Sequence, residues 1–177
     1  MERIEELAAC RPAGILLREK DLEEAAYTEL ARQVLAICAR HQTACILHSH
    51  PEAARLLGCP NIHLPMGLLR QMAGTLEGFQ KVGASVHSGE EAREAQKLGA
   101  SYLVAGHIFA TDCKKGVPPR GLGFLREVCR AVSIPVYAIG GITEEKESLV
   151  LAQGAAGYCV RSGVMQNSLI DKPGPEC

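Results

Sequence analysis

Short apolar runs alternate with helical patterns along almost the whole chain. Each run predicts a strand, because it lacks strict polar alternation and is bounded by glycine, proline or polar residues. Continuous apolar strands of this kind are typical of a parallel sheet that is covered by helices. The predicted strands lie at 13–17, 44–47, 61–64, 83–87, 102–105, 135–139 and 158–160.

Helical spacing fills the intervals between these strands. The chain opens on a predicted helix at 3–10, and residues 67–81 predict one short helix followed by a loop. Ser88 and Glu91 form a capping box, and Thr143 is expected to cap a later helix. Asp21 is expected to cap a long helix with an apolar face formed by Leu22, Ala26, Leu30, Val34 and Ile37.

Seven strands that alternate with helices predict an α/β protein, and the best fit is a TIM (β/α)₈ barrel that lacks the first strand. Because the chain opens on a helix, we expect either a shortened reading frame or an assembly that borrows a strand. A doubly wound open sheet is the alternative. Its phosphate fingerprint is missing, since Gly121 and Gly123 follow a proline-rich loop instead of a strand.

The 177 residues, 47% of them hydrophobic, predict a single barrel domain over residues 1–170 and a flexible tail over 171–177. A net charge of −1 with scattered Lys and Arg indicates neither nucleic-acid nor membrane binding. No membrane span or secretory signal is visible, so we expect a cytoplasmic protein. Eight cysteines lack zinc and redox spacings; they predict buried free thiols, with Cys113 as the candidate for reactivity.

Two glycine-bearing strand ends near the carboxyl terminus predict an anion site. Gly140 and Gly141 follow one strand, Ser162 and Gly163 follow the next, and each pair leads into a predicted helix. Barrels often bind phosphate after their last two strands, where backbone amides and helix amino termini converge. Relief of backbone strain is the alternative explanation for glycine at such turns.

Histidines cluster near the predicted strand ends, at positions 48, 50, 63, 87 and 107. No pair has the helical spacing of a metal clamp, so we expect no metal site. His107 follows Gly106 where a strand ends, and imidazole titrates near neutral pH, which suits proton transfer. From spacing alone, catalysis and packing are equally compatible with this residue.

Five segments resemble, in order, the motifs of the thiamine phosphate synthase superfamily: residues 17–20, 61–64, 83–88, 106–114 and 138–142. The resemblance runs along nearly the whole chain. The segment from Gly106 to Lys114 is similar to the thiazole tautomerase (TenI-like) branch, in which the histidine after the glycine is the catalytic acid/base. The resemblance therefore implies that His107 moves a proton.

Departures from the synthase branch support this assignment. That branch carries Asn-Asp-Arg after its second strand and Gly-Gln-Glu-Asp after His-Leu, and the two aspartates hold magnesium. Here the two places read His48-Ser49-His50 and Pro65-Met66-Gly67-Leu68, while Leu16 stands where the synthase has a pyrimidine-recognising glutamine. Loss of the oxygen ligands would remove the main support for pyrophosphate departure.

The resemblance implies a cofactor-independent isomerase of thiamine biosynthesis that aromatises a thiazole carboxylate phosphate tautomer. Its partner would be the small phosphorylated thiazole. A homo-oligomer is possible, and the sequence does not decide the oligomeric state. Thiamine phosphate synthase activity and a non-catalytic thiazole-phosphate-binding regulator are the alternatives. Catalysis is assigned to His107, and the implied substrate-binding residues are Arg18, Lys20, Ser85, Lys114, Gly140, Gly141, Ser162 and Gly163.

Overall fold

A computed structural model describes residues 1–111, 114 and 116–161. Seven strands lie in this part of the chain: β1 Ile15–Leu17, β2 Cys45–His48, β3 Asn61–Pro65, β4 Lys81–Val86, β5 Tyr102–Gly106, β6 Val136–Ile139 and β7 Gly157–Cys159. The helices there are α1 Glu2–Ala9, α2 Glu24–Arg40, α3 Pro51–Leu56, α4 Met66–Gln71, α5 Gly89–Lys97, α6 Gly121–Ala131 and α7 Glu147–Leu151.

The strands form one sheet in the order β1-β2-β3-β4-β5-β6-β7. The pairs β1–β2, β2–β3, β5–β6 and β6–β7 are parallel, with Leu17 opposite Leu47 and Gly106 opposite Ile139. A strictly sequential order is that of a TIM-like fold, whereas a doubly wound sheet reverses its strand order. The predicted fold class, with seven strands among the described residues, is therefore confirmed.

Contacts divide the chain into two compact units. The first unit, Met1–Ala84 with Leu98–Ser101, contains α1 to α4 and β1 to β3. Its core includes the fully buried Tyr27, Leu47, Ile62 and Leu64. The amino-terminal helix α1 is joined to this unit by the Thr43 hydroxyl, which donates to the Ala8 carbonyl at 2.9 Å.

The second unit comprises Ser85–Lys97 and the chain from Tyr102 onward. Its buried residues include Val86 in β4, Leu103 in β5, Ile108, and Leu125 and Val128 on one face of α6. Apolar positions three apart on α6 place both of its buried side chains on the same side of the helix.

The predicted capping box at the start of α5 is present, with one difference. The Glu91 amide donates to the Ser88 hydroxyl at 3.0 Å, as expected. The Glu91 carboxylate accepts from the amide of His87 at 2.7 Å, one residue before Ser88. The first bond satisfies an amide that the first turn of a helix leaves without a partner, and the second satisfies an amide of the segment that leads into the helix.

Two predictions for helix α2, its N-cap residue and its buried face, need correction. Helix α2 begins at Glu24, with Glu23 and not Asp21 at the N-cap position. The buried face of α2 contains Tyr27 and Ala31 with Val34 and Ile37, whereas Leu22 is 38% exposed and Ala26 is also exposed. Tyr27 occupies the inward position because its hydroxyl finds buried hydrogen-bond partners, which a simple apolar pattern cannot show.

The remaining boundaries agree with the prediction to within about two residues, a normal difference for element ends. Residues 67–81 contain the short helix α4 and a loop, as predicted. Thr143 lies at an N-cap position, but it precedes a 3₁₀ turn, Glu144–Lys146, and its side chain makes no capping bond. Among the described residues, no helix combines the length and apolar character needed to cross a membrane.

Candidate active site

His107 lies directly after β5 and is 4% exposed. The residue before it, Gly106, packs against Ile139 at the end of β6. A Cβ at position 106 would clash with Ile139 Cγ2 and would lie 2.6 Å from the Ile139 carbonyl oxygen. Only glycine fits this contact, so the two strand ends close together beside His107.

The backbone after His107 remains hydrogen-bonded to the segment that follows β6. The Ile108 amide donates to the Ile139 carbonyl at 2.9 Å, and the Phe109 amide donates to the Gly140 carbonyl at 3.0 Å. These bonds extend the parallel ladder beyond the strands. His107 is thus held on a fixed backbone and not on a free loop.

Within the described residues the His107 ring contacts the backbone carbonyl of Val117, whose oxygen lies 3.3 Å from Nε2. Because a carbonyl oxygen only accepts hydrogen bonds, this contact places the ring hydrogen of neutral His107 on Nε2. Nδ1 then carries the lone pair. The site therefore presents a proton acceptor at Nδ1 and a hydrogen-bonded N–H at Nε2.

Arg120 fixes the loop that supplies the Val117 carbonyl. Its backbone amide donates to the His107 carbonyl at 3.0 Å, and its Nη1 donates to the His87 carbonyl at 2.9 Å. The guanidinium also lies over the Phe124 ring, 5.3 Å from the centroid. Arg120 was not predicted as a site residue, since an arginine in a proline-rich loop carries no periodic or motif signal.

Gly140 and Gly141 form a close turn after β6, with φ values of 103° and 62°. A Cβ at Gly141 would clash with the Ala110 carbonyl oxygen and lie 3.0 Å from the Phe109 carbonyl carbon. Close packing therefore explains why glycine occupies both positions, independently of any role in binding. Close approach and positive φ are the conditions that glycine alone meets without strain.

Lys146 brings a positive charge to this turn. Its Nζ donates to the Gly141 carbonyl at 3.0 Å and lies 4.8 Å from the centroid of the Phe109 ring. Lys146 was not predicted as a site residue either. The sequence did carry one signal for it: Lys146 is a cation five residues after Gly141, in the first helical turn that follows β6.

The other predicted site residues are distributed over both units. Arg18 and Lys20 are exposed in the first unit, directly after β1. In the second unit Ser85 is half-buried in β4, and Lys114 is exposed with its amide bonded to the Thr111 carbonyl at 3.0 Å. Of the predicted site, the structure brings together His107, Gly140 and Gly141. Cys113, Ser162, Gly163 and the tail at 171–177 lie outside the described residues.

A second histidine cluster lies in the first unit, at the ends of β2 and β3. The rings of His48 and His63 stack with their centroids 5.5 Å apart. Burial, with a further contribution from the positive charge of Arg18, lowers the pKa of His48 to about 4. Burial, followed by the neighbouring His48, lowers the pKa of His63 to about 3. Both rings are therefore neutral at pH 7.

Three further contacts involve histidines at these strand ends. The hydroxyl of Ser49 lies 2.7 Å from His48 Nδ1. His50 stacks on Tyr27 at 3.6 Å, and its Nδ1 lies 2.7 Å from a carboxylate oxygen of Glu24. The Tyr27 and Glu24 contacts were not predicted, since they join positions more than 20 residues apart.

A family model described as thiamine monophosphate synthase matches residues 1–164. A thiamine-phosphate synthase of Listeria monocytogenes is 37% identical over 144 residues, which are 78% of this chain and 67% of that protein. The thiamine-phosphate synthase of Pyrococcus abyssi is 35% identical over 164 residues, covering 90% and 77% of the two chains.

Solved structures agree with these matches. A structure of thiamine phosphate pyrophosphorylase from Pyrococcus furiosus superposes with a TM-score of 0.78 at 30% identity, covering 93% of this chain and 80% of that chain. A 3-hexulose-6-phosphate synthase gives a TM-score of 0.70 at 18% identity, over 95% and 87% of the chains. The latter likeness concerns the fold alone.

The parallel, sequential sheet with a histidine at a strand end defines a TIM-like α/β protein with a candidate proton-transfer site. The matches go further: the chain belongs to the thiamine monophosphate synthase family, whose members are enzymes of thiamine biosynthesis. The resemblance stated from the sequence motifs is thus confirmed at the level of the family.

The synthase reaction implies magnesium, and the residues at the corresponding positions do not fit it. Magnesium prefers oxygen ligands in octahedral geometry, typically carboxylates and water. Ser49 and Leu68 stand where the motif resemblance places the two aspartates, and Ser49 is hydrogen-bonded to a buried neutral imidazole. Within the described ranges, no group of three or more His, Cys, Asp or Glu side chains is arranged to hold a metal ion.

Proposed function

We propose that this chain is a thiazole tautomerase, which converts a non-aromatic thiazole carboxylate phosphate into its aromatic tautomer. The observation that carries the proposal is the buried His107, with Nε2 bonded to the Val117 carbonyl and Nδ1 left as the acceptor. Such an imidazole is suited to remove a proton from one ring atom and return one to another.

The proton balance of this reaction is closed. His107 Nδ1 takes a proton from the non-aromatic ring, which leaves imidazolium beside the delocalised anion. The imidazolium then gives a proton back at a different atom of the substrate, so neutral His107 is regenerated. Aromatisation supplies the driving force, and the reaction uses no redox partner.

The Gly140-Gly141 turn is the proposed phosphate site. A compact glycine turn at a strand end lets a phosphate approach backbone amides closely. Lys146 adds a charge that favours a dianion at the same turn. Arg18, Lys20, Ser85, Lys114, Ser162 and Gly163 remain proposed substrate contacts.

The second candidate function is thiamine phosphate synthesis, and the names of the related proteins favour it. The replacement of both magnesium-binding aspartates by Ser49 and Leu68 argues against it. An ultraviolet assay that starts from the enzymatically produced tautomer tests the first candidate. A coupling assay with magnesium, pyrimidine pyrophosphate and thiazole phosphate tests the second.

A further inference from the structure

Three arginines line one groove on the surface of the second unit, where α5 packs beside α6. The groove has a volume of about 410 Å³, and its lining residues are Arg93, Gly123, Arg126, Glu127, Arg130 and Ala131. Arg93 lies on α5, whereas the other two arginines lie one helical turn apart on α6. The packing of two helices therefore brings together cations that are far apart in the sequence.

Side-chain hydrogen bonds join the two helices that form the groove. The amide of Gly89, the first residue of α5, donates to the Glu127 carboxylate at 3.3 Å. Near the other end of α5, the Gln96 side-chain oxygen accepts from the Ser133 amide at 2.8 Å, two residues after α6. The helices are thus connected at both ends of α5, so the arginines are carried by a fixed helix pair and not by a loop.

Arg126 is held in place by a further contact with the segment after α7. Its Nε donates to Gln153 Oε1 at 2.8 Å, and Gln153 Nε2 donates to the Leu149 carbonyl at 3.0 Å. The second bond fixes which side of the Gln153 amide faces the arginine. Because the Gln153 contact uses Nε, it leaves the N–H donors of the two terminal guanidinium nitrogens for a ligand.

The groove carries an excess of positive charge. Its lining contains three guanidinium groups and one carboxylate, which leaves an excess of two positive charges. The carboxylate, that of Glu127, already accepts a hydrogen bond from the amide at the start of α5. The acidic residues of α5 are not part of the lining; they are Glu90, Glu91 and Glu94. All three arginines are exposed, so the groove is open to a ligand from solvent.

We propose that this groove is a binding site for a small molecule that carries a chain of phosphate groups. Guanidinium groups bind phosphate oxygens through paired, charge-assisted hydrogen bonds. The Cβ atoms of residues one helical turn apart are separated by about 5–6 Å, so joined phosphates can contact both Arg126 and Arg130. Arg93 contacts the same ligand from α5.

The volume and the position of the groove define the ligand further. A volume of about 410 Å³ lies within the range of small-molecule sites and exceeds what a single phosphate group fills. A single phosphate therefore engages fewer of the three arginines and binds more weakly than a phosphate chain. No lining residue belongs to the candidate active site, so the proposal is independent of the tautomerase assignment.

Titration calorimetry of the full chain with sodium tripolyphosphate tests the proposal. We expect saturable binding at low ionic strength, with an affinity on the order of tenfold or more above that for inorganic phosphate. The affinity should fall as salt is added, because exposed charges are screened. Heat that does not saturate, or equal affinity for the two anions, would overturn the proposal.

Arginine modification shows where the probe binds. Phenylglyoxal reacts with accessible guanidinium groups, and mass spectrometry of the digested wild-type chain reports each modified position. We expect tripolyphosphate to protect Arg93, Arg126 and Arg130 and to leave Arg32 of α2 unprotected. Protection confined to arginines outside the groove would overturn the proposal. Because this mapping uses the wild-type chain, it does not depend on the folding of any variant.

Variants separate the groove from the general charge of the protein. Arg130→Gln should weaken tripolyphosphate binding on the order of tenfold, since one charge-assisted contact is lost. Arg32→Gln is the matched control, because it removes the same charge from an exposed arginine of the first unit, and it should change the affinity less than about twofold.

The opposite change is expected at Glu127. Glu127→Gln removes the carboxylate from the groove but keeps a side-chain oxygen that can accept from the Gly89 amide, so tripolyphosphate should bind more tightly. Equal effects of Arg130→Gln and Arg32→Gln, or weaker binding by Glu127→Gln, would overturn the proposal.

Discussion

Gly140 lies directly against His107: a Cβ at position 140 would clash with His107 Cβ and lie 2.8 Å from its Cα. The turn after β6 therefore sets the position of the residue to which we assign proton transfer. Position 140 also has a φ of 103°, a conformation that side chains with a Cβ rarely adopt.

Gly140→Ala is expected to displace His107 and to lower both stability and tautomerase activity. Gly78→Ala is the matched control, since Gly78 has a φ of 89° but a Cβ added there would meet no atom within 4 Å. In the Gly78→Ala control the free energy of unfolding should fall by about 1–2 kcal/mol, through backbone strain alone. Urea denaturation should show a larger fall in the free energy of unfolding for Gly140→Ala. Equal losses in the two variants would contradict the claim that Gly140 packs directly against His107.

Tyr27 carries a buried hydrogen-bond network in the first unit. Its hydroxyl donates to the Leu17 carbonyl at 3.1 Å and accepts from the His48 amide at 3.2 Å. Tyr27→Phe should lower the free energy of unfolding by about 1–3 kcal/mol, because both buried backbone groups lose their partner.

The control for this substitution is Tyr158→Phe. The Tyr158 hydroxyl donates to the half-buried Glu147 carboxylate at 3.2 Å, where water can replace the lost bond. We expect a loss below about 1 kcal/mol. If chemical denaturation ranks the two variants in the opposite order, the Tyr27 network is not a main support of β1 and β2.

The buried pair His48 and His63 predicts a loss of stability in acid. Their folded pKa values, about 4 and about 3, lie below the ordinary value of 6.5. Below pH 6.5 the unfolded chain therefore binds protons that the folded chain does not, and stability falls until the pH reaches the folded values. For His48 alone the loss is on the order of 3 kcal/mol.

Denaturation curves between pH 7.5 and pH 4 measure this effect. His48→Gln should flatten the dependence of unfolding free energy on pH, because one of the two titrating groups is removed. His41→Gln, which changes a half-buried histidine bound to Glu5, should keep most of the slope. A slope that is the same in wild type and His48→Gln would exclude the histidine pair as its cause.

The synthase alternative predicts a product that the tautomerase assignment does not. With magnesium, pyrimidine pyrophosphate and thiazole phosphate, we expect no thiamine phosphate above the rate without enzyme, because Ser49 and Leu68 replace the metal-binding aspartates. Chromatography of the product measures the rate, and a related synthase serves as the positive control. Product formation at ordinary enzyme rates would assign the chain to the synthase reaction.

Much of the fold was predictable from local patterns, since the strands are short, mainly apolar runs that are bounded by glycine, proline or polar residues. The buried face of α2 was not, because Tyr27 is placed by partners in Leu17 and His48 that lie far along the chain. At the candidate site, His107 and its paired glycines follow from strand ends. The contacts of Val117, Arg120 and Lys146 were not predictable from the sequence. Each depends on a hydrogen bond made in the folded chain, and no periodic pattern marks these positions.

The central claim is that His107 transfers the proton. It is tested most directly by the rate of aromatisation, followed by ultraviolet absorbance, for wild type, His107→Gln and His87→Gln. Gln at position 107 can still donate to the Val117 carbonyl but cannot relay a proton, whereas His87 has an exposed side chain in the same unit. We predict that His107→Gln keeps its fold by circular dichroism and its phosphate affinity while its rate falls on the order of 10²-fold. His87→Gln should stay near wild type, and a near-wild-type rate for His107→Gln would contradict the account.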